Sequence, residues 1–295
     1  STNAITKTAD LDGEVTAPKA ELELRGVFTD LTESNIIVNG DTTPYTLDNT
    51  EFASQFINIA QTKTFRIRNI GGLTLNVSSI TLDNTADFSI TASTPFVIAG
   101  ATYTDFTITF QPQSMGDRTA IVTIVSSDLT DSPYTFTIKG LGKNAEIAVT
   151  GNSINIPNGN TAISATDNTF IGDANGNPAN PSTVSQNFVI SNSGNVALTI
   201  SGITISGADA SQFSVSPTTT SIAAGATGTI TVTFAPTSIG VKNATINIAN
   251  NDLTDGENPY TFAVQGNAVS YVTCASGLPT IVYETGFEVS EGFAT

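Results

Sequence analysis

Apolar and polar residues alternate with a period of two along much of the chain. The pattern is clear in residues 106–110 (FTITF) and returns in residues 230–234 (ITVTF). Such alternation predicts strands that bury one face and expose the other, as in antiparallel sheets. Further strands are predicted at residues 121–124, 134–138 and 244–248. Gly, Asn, Asp and Pro interrupt the chain at short intervals, which indicates a sandwich with Greek-key connections.

The chain contains two copies of one sequence pattern. Seven segments of the first half match seven of the second half in the same order, at offsets between 119 and 126 residues. The pairs are 20–26 with 145–151, 39–42 with 158–161, 48–50 with 167–169, 65–71 with 188–194, 110–112 with 234–236, 128–131 with 252–255, and 133–136 with 259–262. A nearly constant offset predicts two homologous immunoglobulin-like β-sandwiches, at residues 20–143 and 144–268.

Each repeat is longer than the roughly 100 residues of a plain immunoglobulin-like domain. The additional residues lie early, at 39–60 and 158–186. They are predicted to form long loops, or an added hairpin, at one end of each sandwich. The junction at residues 140–144 is short, which predicts end-to-end stacking with limited freedom.

Two segments lie outside the repeats. Residues 1–19 are polar and are interpreted as a leader or linker. Residues 269–295 match neither repeat and are interpreted as a linker followed by the truncated start of a further domain. Cys274 lies in this second segment; it either pairs with a cysteine of a missing domain or is free. The chain is therefore interpreted as a monomeric segment of a larger protein.

Composition excludes several function classes. The chain has no His, one Cys and a net charge of −16. It therefore has no Ser-His-Asp triad, no His-ligated metal, no internal disulfide and no thiolate cluster. The charge disfavours nucleic acid and anionic lipid as partners, and no apolar window is long enough to span a membrane. Acidic, Thr-rich composition is typical of bacterial surface proteins, so the predicted location is extracellular or at the cell surface.

Acidic residues recur in equivalent turns of the two repeats and are weak candidates for calcium ligands. Calcium takes six to eight oxygen ligands, which closely spaced carboxylates and loop carbonyls supply. The alternative is a turn in which Asp accepts bonds from backbone N–H groups. The candidates are Asp128, Asp131, Asp252, Asp255 and Glu257, and a second loop contains Asp167, Asp173, Asn175 and Asn177. No other metal and no cofactor are expected.

The tyrosines are candidates for contact with a sugar or a protein. Tyr134 and Tyr260 follow a proline at equivalent strand starts, which favours a structural role. Tyr103 is a further aromatic candidate. Tyr45 lies in the additional segment of the first repeat without an aromatic counterpart in the second, and is the preferred ligand-binding residue. A glycosidase needs two carboxylates at a set spacing, and among 26 acidic residues some pair meets it by chance. Nothing in the sequence marks a cleft and the chain has no Trp to stack on a sugar, so no enzyme activity is expected.

The second repeat resembles a known family. Its motifs are Asn192-x-Gly194, residues 198–200 (LTI), 207–213 (GADASQF) and 234–236 (FAP), with Gly225, Gly240 and Asn251-Asp252. They are similar to the choice-of-anchor D domains of bacterial surface proteins, related to the abnormal-spindle and hydin class and to major sperm protein. The motifs are structural: Asn-x-Gly predicts a turn with positive φ, Phe88 and Phe213 are predicted core anchors, and Pro112 and Pro236 end a strand.

The resemblance implies tandem modules in secreted or surface proteins whose enzymatic or anchoring parts lie elsewhere. The tail around Tyr283 and Phe287 resembles the opening of a β-rich domain in secreted proteins of the Bacteroidetes type. The predicted function is a non-catalytic spacer or adhesion segment. The alternative is a carbohydrate- or protein-binding accessory module of a larger secreted hydrolase, which contacts a surface glycan or protein through the long loops.

Overall fold

The computed structural model describes residues 18–271, and its contacts divide the chain into two units, Ser1–Gly142 and Lys143–Thr295. These units are called domain 1 and domain 2. The described residues form 21 strands and two short 3-10 helices, Thr46–Asp48 and Ala210–Gln212, which confirms the all-β prediction. The predictions for the leader, for Cys274 and for the start of a further domain lie outside the described residues.

Domain 1 is a sandwich of two five-stranded sheets, in the orders β2-β1-β4-β8-β6 and β3-β10-β9-β5-β7. Its strands are β1 (Leu22–Val27), β2 (Glu33–Ile37), β3 (Gln55–Phe56), β4 (Gln61–Asn69), β5 (Leu75–Leu82), β6 (Phe88–Thr91), β7 (Phe96–Ile98), β8 (Tyr103–Phe110), β9 (Gly116–Ser126) and β10 (Tyr134–Lys143).

Domain 2 repeats this order with one strand divided. Its sheets are β12-β11-β14-β19-β17 and β13-β21-β20-β16, with a small β15-β18 pair. Its strands are β11 (Ile147–Gly151), β12 (Ile154–Ile156), β13 (Phe170–Asn175), β14 (Val184–Asn192), β15 (Leu198–Ile200), β16 (Gly202–Ser206), β17 (Phe213–Ser216), β18 (Thr220–Ile222), β19 (Thr227–Phe234), β20 (Gly240–Ala249) and β21 (Tyr260–Val269).

Each domain has its own buried apolar core between its two sheets. The alternating residues of the long strands point inward, as in β8, where Phe106, Ile108 and Phe110 are buried and the threonines between them are not. Phe88 and Phe213 are buried against Phe110 and Phe234, with ring centroids 4.9 Å apart in both domains. The prediction that they anchor the core is confirmed.

The additional residues of each repeat are mostly loop, as predicted, but they do not lie at one end of the sandwich. They run along the edge of the second sheet beside the last strand. In domain 1, Gly40 and Phe52 donate to the carbonyls of Thr135 and Lys139 in β10, and Lys139 donates back to Thr50. The edge of β10 needs hydrogen-bond partners, and this segment provides them.

Domain 2 extends this arrangement into a true strand. β13 pairs in parallel with β21, from Phe170 opposite Gln265 to Asn175 opposite Val269. The prediction that Asp173 and Asn175 belong to an Asp/Asn-rich loop is therefore wrong, because both lie in β13. Parallel pairing is missed by period-two reasoning, since alternation gives the buried face of a strand and not its neighbour.

The glycine of the Asn-x-Gly motif is required for a reason other than the predicted positive φ. Gly71 and Gly194 do not have a positive φ; a Cβ there would lie 2.1 Å from the carbonyl oxygen of Lys19 and 2.3 Å from that of Asn144. The glycine is needed because two backbone segments approach closely. The asparagine bonds across the same gap, because Asn192 Oδ1 accepts from the N–H groups of both Gly194 and Glu146. Its Nδ2 donates to the carbonyls of Val196 and Ile222.

A glycine in the last strand of each domain lies over a buried phenylalanine. A Cβ on Gly140 would lie 2.4 Å from the ring of Phe110, and one on Gly266 would lie 2.4 Å from that of Phe234. Both rings are fully buried. The strand therefore passes the ring at a distance that leaves no room for a side chain.

Gly266→Ala is expected to destabilise domain 2 by about 1–3 kcal/mol, because the added methyl overpacks the core. Chemical unfolding measured by circular dichroism checks the value. Gly202→Ala is the matched control on the same sheet, since a Cβ there meets nothing within 4 Å. Equal effects of the two substitutions would contradict the packing argument.

Candidate functional site

A buried aspartate ties the start of each domain to the loop between its last two strands. Asp128 Oδ2 accepts from the N–H of Leu22 at 2.8 Å, and Asp252 Oδ2 accepts from that of Ile147 at 3.0 Å. The other oxygen of Asp128 accepts from Thr130, and that of Asp252 accepts from Thr254 in the same way. Asp128 and Asp252, two of the calcium candidates, therefore accept hydrogen bonds from backbone N–H groups in a turn, as the alternative interpretation proposed.

Only one group of three acidic side chains among the described residues is close enough to share a metal ion. It consists of Glu146, Asp252 and Glu257, whose ligand oxygens lie within 4.8 Å of one another. Asp255 of the predicted set is not in this group, and Glu146, which sequence reasoning missed, is. The calcium prediction for Asp252 and Glu257 stays a prediction, as does that for Asp128, Asp131 and Asp255.

The cluster is electrostatically unfavourable at neutral pH. Burial raises the pKa of Glu146, and the charge of Asp252 raises it further. Burial likewise raises the pKa of Glu257, with contributions from Asp252, Glu146 and Asp255. Asn144 donates to Glu146 and Asp252 but carries no charge. At the equivalent place in domain 1, Lys19 forms an ion pair of 3.1 Å with Glu21.

The tyrosines separate into structural and exposed residues. The buried Tyr134 and Tyr260 donate their hydroxyls to the carbonyls of Ile37 and Ile156, the structural role that their position favours. Tyr45 is 53% exposed, and its backbone closes the turn that contains Thr50. Its assignment as a ligand-binding residue stays a prediction.

A network of ion pairs covers the outer face of β1, β2, β4 and β8 in domain 1. Arg66 donates two bonds to Asp105, at 2.7 and 2.8 Å, and one to Glu33 at 3.0 Å. Arg68 donates to the other oxygen of Glu33 at 2.8 Å. The charged face consists of these residues together with Glu23, Arg25 and Tyr103.

Arg66 is the centre of this face. Its hydrogen bonds to Asp105 raise the pKa of its guanidinium, and the bond to Glu33 adds to the effect against burial. Burial acts to raise the pKa of Glu33, but Arg66 and Arg68 outweigh it and the pKa is lowered. The ring of Tyr103 stacks on Arg66, with the guanidinium carbon 3.7 Å from the ring centroid.

Among the described residues of domain 2, the positions that align with Arg66, Arg68 and Asp105 carry no charge. The strand register places Val189 where domain 1 has Arg66, and Thr229 where it has Asp105. By the same register, Ser191 and Thr227 replace Arg68 and Tyr103. The sheet does not require the network for folding, since the second copy forms without it.

Residues 44–141 and 176–267 match the model of the HYDIN/CFA65/VesB-like Ig-like domain. The two matches together span well over half of the chain. The chain belongs to this Ig-like family. It carries the HYDIN/CFA65/VesB-like domain twice in tandem, as the repeat predicted. A comparison with curated proteins found no match.

Several solved structures resemble this tandem Ig-like chain at low sequence identity. A Porphyromonas gingivalis W83 protein of unknown function is 11% identical, covers 74% of this chain and 95% of its own, and has a TM-score of 0.31. The D00-D0 domain of intimin is 14% identical, with coverages of 76% and 98% and a TM-score of 0.30. The Vibrio cholerae VesB protease is 14% identical, with coverages of 31% and 28% and a TM-score of 0.24.

The two domains are expected to respond to pH in opposite directions. A carboxyl whose pKa is raised on folding stabilises most below its unfolded pKa, and that stability is lost as pH rises through the folded pKa. This describes Glu146 and Glu257 in domain 2. In domain 1, Glu33, Asp87 and Asp128 have lowered pKa values, so their stabilisation is present above the unfolded pKa and is lost on acidification.

Glu257→Gln is therefore expected to stabilise domain 2 at pH 7 by about 0.5 kcal/mol, a value discounted for solvent screening. The gain disappears near pH 4, where the glutamate is protonated. Hydrogen exchange followed by mass spectrometry measures the protection of each domain separately. Glu21→Gln, at the position of domain 1 that corresponds to Glu146 of the cluster, is the control, and no gain is expected there because Lys19 already pairs with Glu21. An equal gain from both variants would refute the cluster effect.

Proposed function

We propose that the chain is a non-catalytic, load-bearing segment of a secreted or cell-surface protein, in which two Ig-like domains in series link other parts of that protein. We propose further that both domains are of the choice-of-anchor D type, as in surface proteins of the Bacteroidetes type. Composition supports an extracellular place, and no helix among residues 18–271 is long and apolar enough to cross a membrane.

The position of the first and last strands of domain 2 is the observation that carries this proposal. Asp252 holds the start of β11 near the loop that precedes β21, whereas β21 ends at the opposite end of the sandwich, opposite the start of β20. A pull on the two ends of the domain therefore acts along the strands, over a length of about 30 Å.

Force in that direction loads the last strand in shear. β21 pairs with β20 on one side, from Tyr260 to Ala268, and with β13 on the other, from Gln265 to Val269. Sliding β21 out requires many backbone hydrogen bonds to break together, whereas unzipping would break them singly. Domain 1 has the same geometry, but its β3 spans two residues only.

Single-molecule stretching of the full chain is expected to show two separate unfolding events. Each releases about 400 Å of chain, for roughly 120 residues per domain. Domain 2 is expected to resist the higher force, because β13 gives its last strand the longer parallel partner.

An insertion assigns the two events. About ten glycines placed in the exposed hairpin turn at Asp30 lengthen the release of domain 1 alone by about 35 Å. One combined event, or a domain 2 that yields below domain 1, would overturn the load-bearing proposal.

A further inference from the structure

Tyr103 presents an open aromatic surface on the charged face. Its ring lies on the guanidinium of Arg66, with 3.7 Å between the ring centroid and the guanidinium carbon. The Arg66 side chain is 14% exposed and Tyr103 is 54% exposed, so the ring lies on the solvent side of the pair. Cation–π stacking fixes the ring in this position. The result is a flat apolar surface on an otherwise polar sheet.

Hydrogen-bonding groups of both kinds surround this ring. Arg68 donates from Nη1 to Glu33, and its side chain is 42% exposed. Glu33 and Asp105 are acceptors that each have two oxygens and remain partly exposed. A ligand that meets this edge must both donate and accept hydrogen bonds, as hydroxyl groups do.

The charged face carries no net charge, although the chain as a whole carries −16. Three guanidinium groups, of Arg25, Arg66 and Arg68, balance three carboxylates, of Glu23, Glu33 and Asp105. An anionic ligand would compete with those carboxylates and meet the repulsion of the whole chain, and a cation would compete with the guanidinium groups. The complementary ligand is therefore neutral.

The face also has room for an extended ligand. A cleft of about 250 Å³ lies beside Tyr103, lined by Arg68, Ile70, Ala101 and Thr102 among others. A groove of about 530 Å³ lies near Asp105, bordered by Phe28 and Leu31 of the β1–β2 hairpin and by Lys63. The ammonium of Lys63 lies outside the charged face as defined and donates to the carbonyls of Asn49 and Glu51. The outer residues of β4 from Thr62 to Arg68 connect the two over about 20 Å. This length fits several sugar rings in a row.

We propose that the charged face of domain 1 binds a neutral oligosaccharide, with one pyranose ring stacked on Tyr103 and its hydroxyls bonded to Arg68 and Glu33. A pyranose has an apolar C–H face and a rim of hydroxyls, which match the ring and the polar groups around it. This inference rests on the proposed surface role and gives the segment a ligand. It places the site on a sheet face and not in the segment that contains Tyr45.

Domain 2 supplies the test substitutions. Tyr103→Thr and Arg68→Ser introduce the residues that domain 2 has at the same register, Thr227 and Ser191. Domain 2 forms the equivalent sheet with these residues, so domain 1 is expected to fold with them. The full chain is titrated calorimetrically with cellotetraose, xylotetraose, mannotetraose and maltotetraose. At least one is expected to bind saturably, with a loss of tenfold or more in each variant and little dependence on salt concentration.

Three outcomes would overturn the proposal: none of the four probes binds, binding survives Tyr103→Thr, or binding is lost in Tyr45→Thr instead. Thermal unfolding of each variant shows whether domain 1 is still folded, so that a loss of binding is not confused with unfolding. The stretching experiment on the Tyr103→Thr variant separates the two proposals. Two unchanged unfolding events together with lost binding leave the load-bearing role intact.

Discussion

The outer edge of the last strand of each domain needs hydrogen-bond partners, and much of the architecture depends on how they are supplied. Unpaired N–H and C=O groups along a buried strand cost free energy, and a free edge also invites pairing with another chain. Both domains use the segment between their second and fourth strands for this purpose, that is, between β2 and β4 and between β12 and β14. The bonds come from Gly40 and Phe52 in domain 1 and from Gly159 and Gly176 in domain 2. The additional length of each repeat is thus the cover of one strand.

Many interior residues make the same contacts in both domains, whereas the ion pairs of the charged face occur in domain 1 only among the residues that the structure describes. The buried aspartates at 128 and 252 and the crowded glycines at 140 and 266 make the same contacts in both domains. A core position can hold different apolar residues in the two domains: Phe106 stacks on Phe65 at 5.6 Å, and the equivalent position of domain 2 is Ile230. Several outer positions differ, as at Arg66 and Val189, because exposed strand residues tolerate most substitutions with a small change in stability.

Period-two alternation predicted the strands and the buried face of each, because burial alternates with the side-chain direction. It could not predict the parallel partner of β21, nor that Gly71 is required by the approach of Lys19, because both depend on residues far away in sequence. For the same reason the sequence did not predict that Glu146 belongs to the acidic cluster or that Arg66 belongs to the charged face. Asp252 and Glu257 were close enough in sequence to be noticed, whereas Glu146 lies 106 residues before Asp252.

The two domains differ in how their acidic side chains are paired, and this difference bears on function. Domain 1 places three arginines against three carboxylates on one sheet face and a lysine beside Glu21. Domain 2 leaves Glu146, Asp252 and Glu257 together with only neutral donors. The equivalent sheet of domain 2 forms without these ion pairs, so folding alone does not explain the concentration of arginine in domain 1. A surface that is rigid, neutral and rich in both hydrogen-bond donors and acceptors is instead suited to binding a ligand. Domain 2 has no such surface at the equivalent described positions, and its role in the proposal is structural.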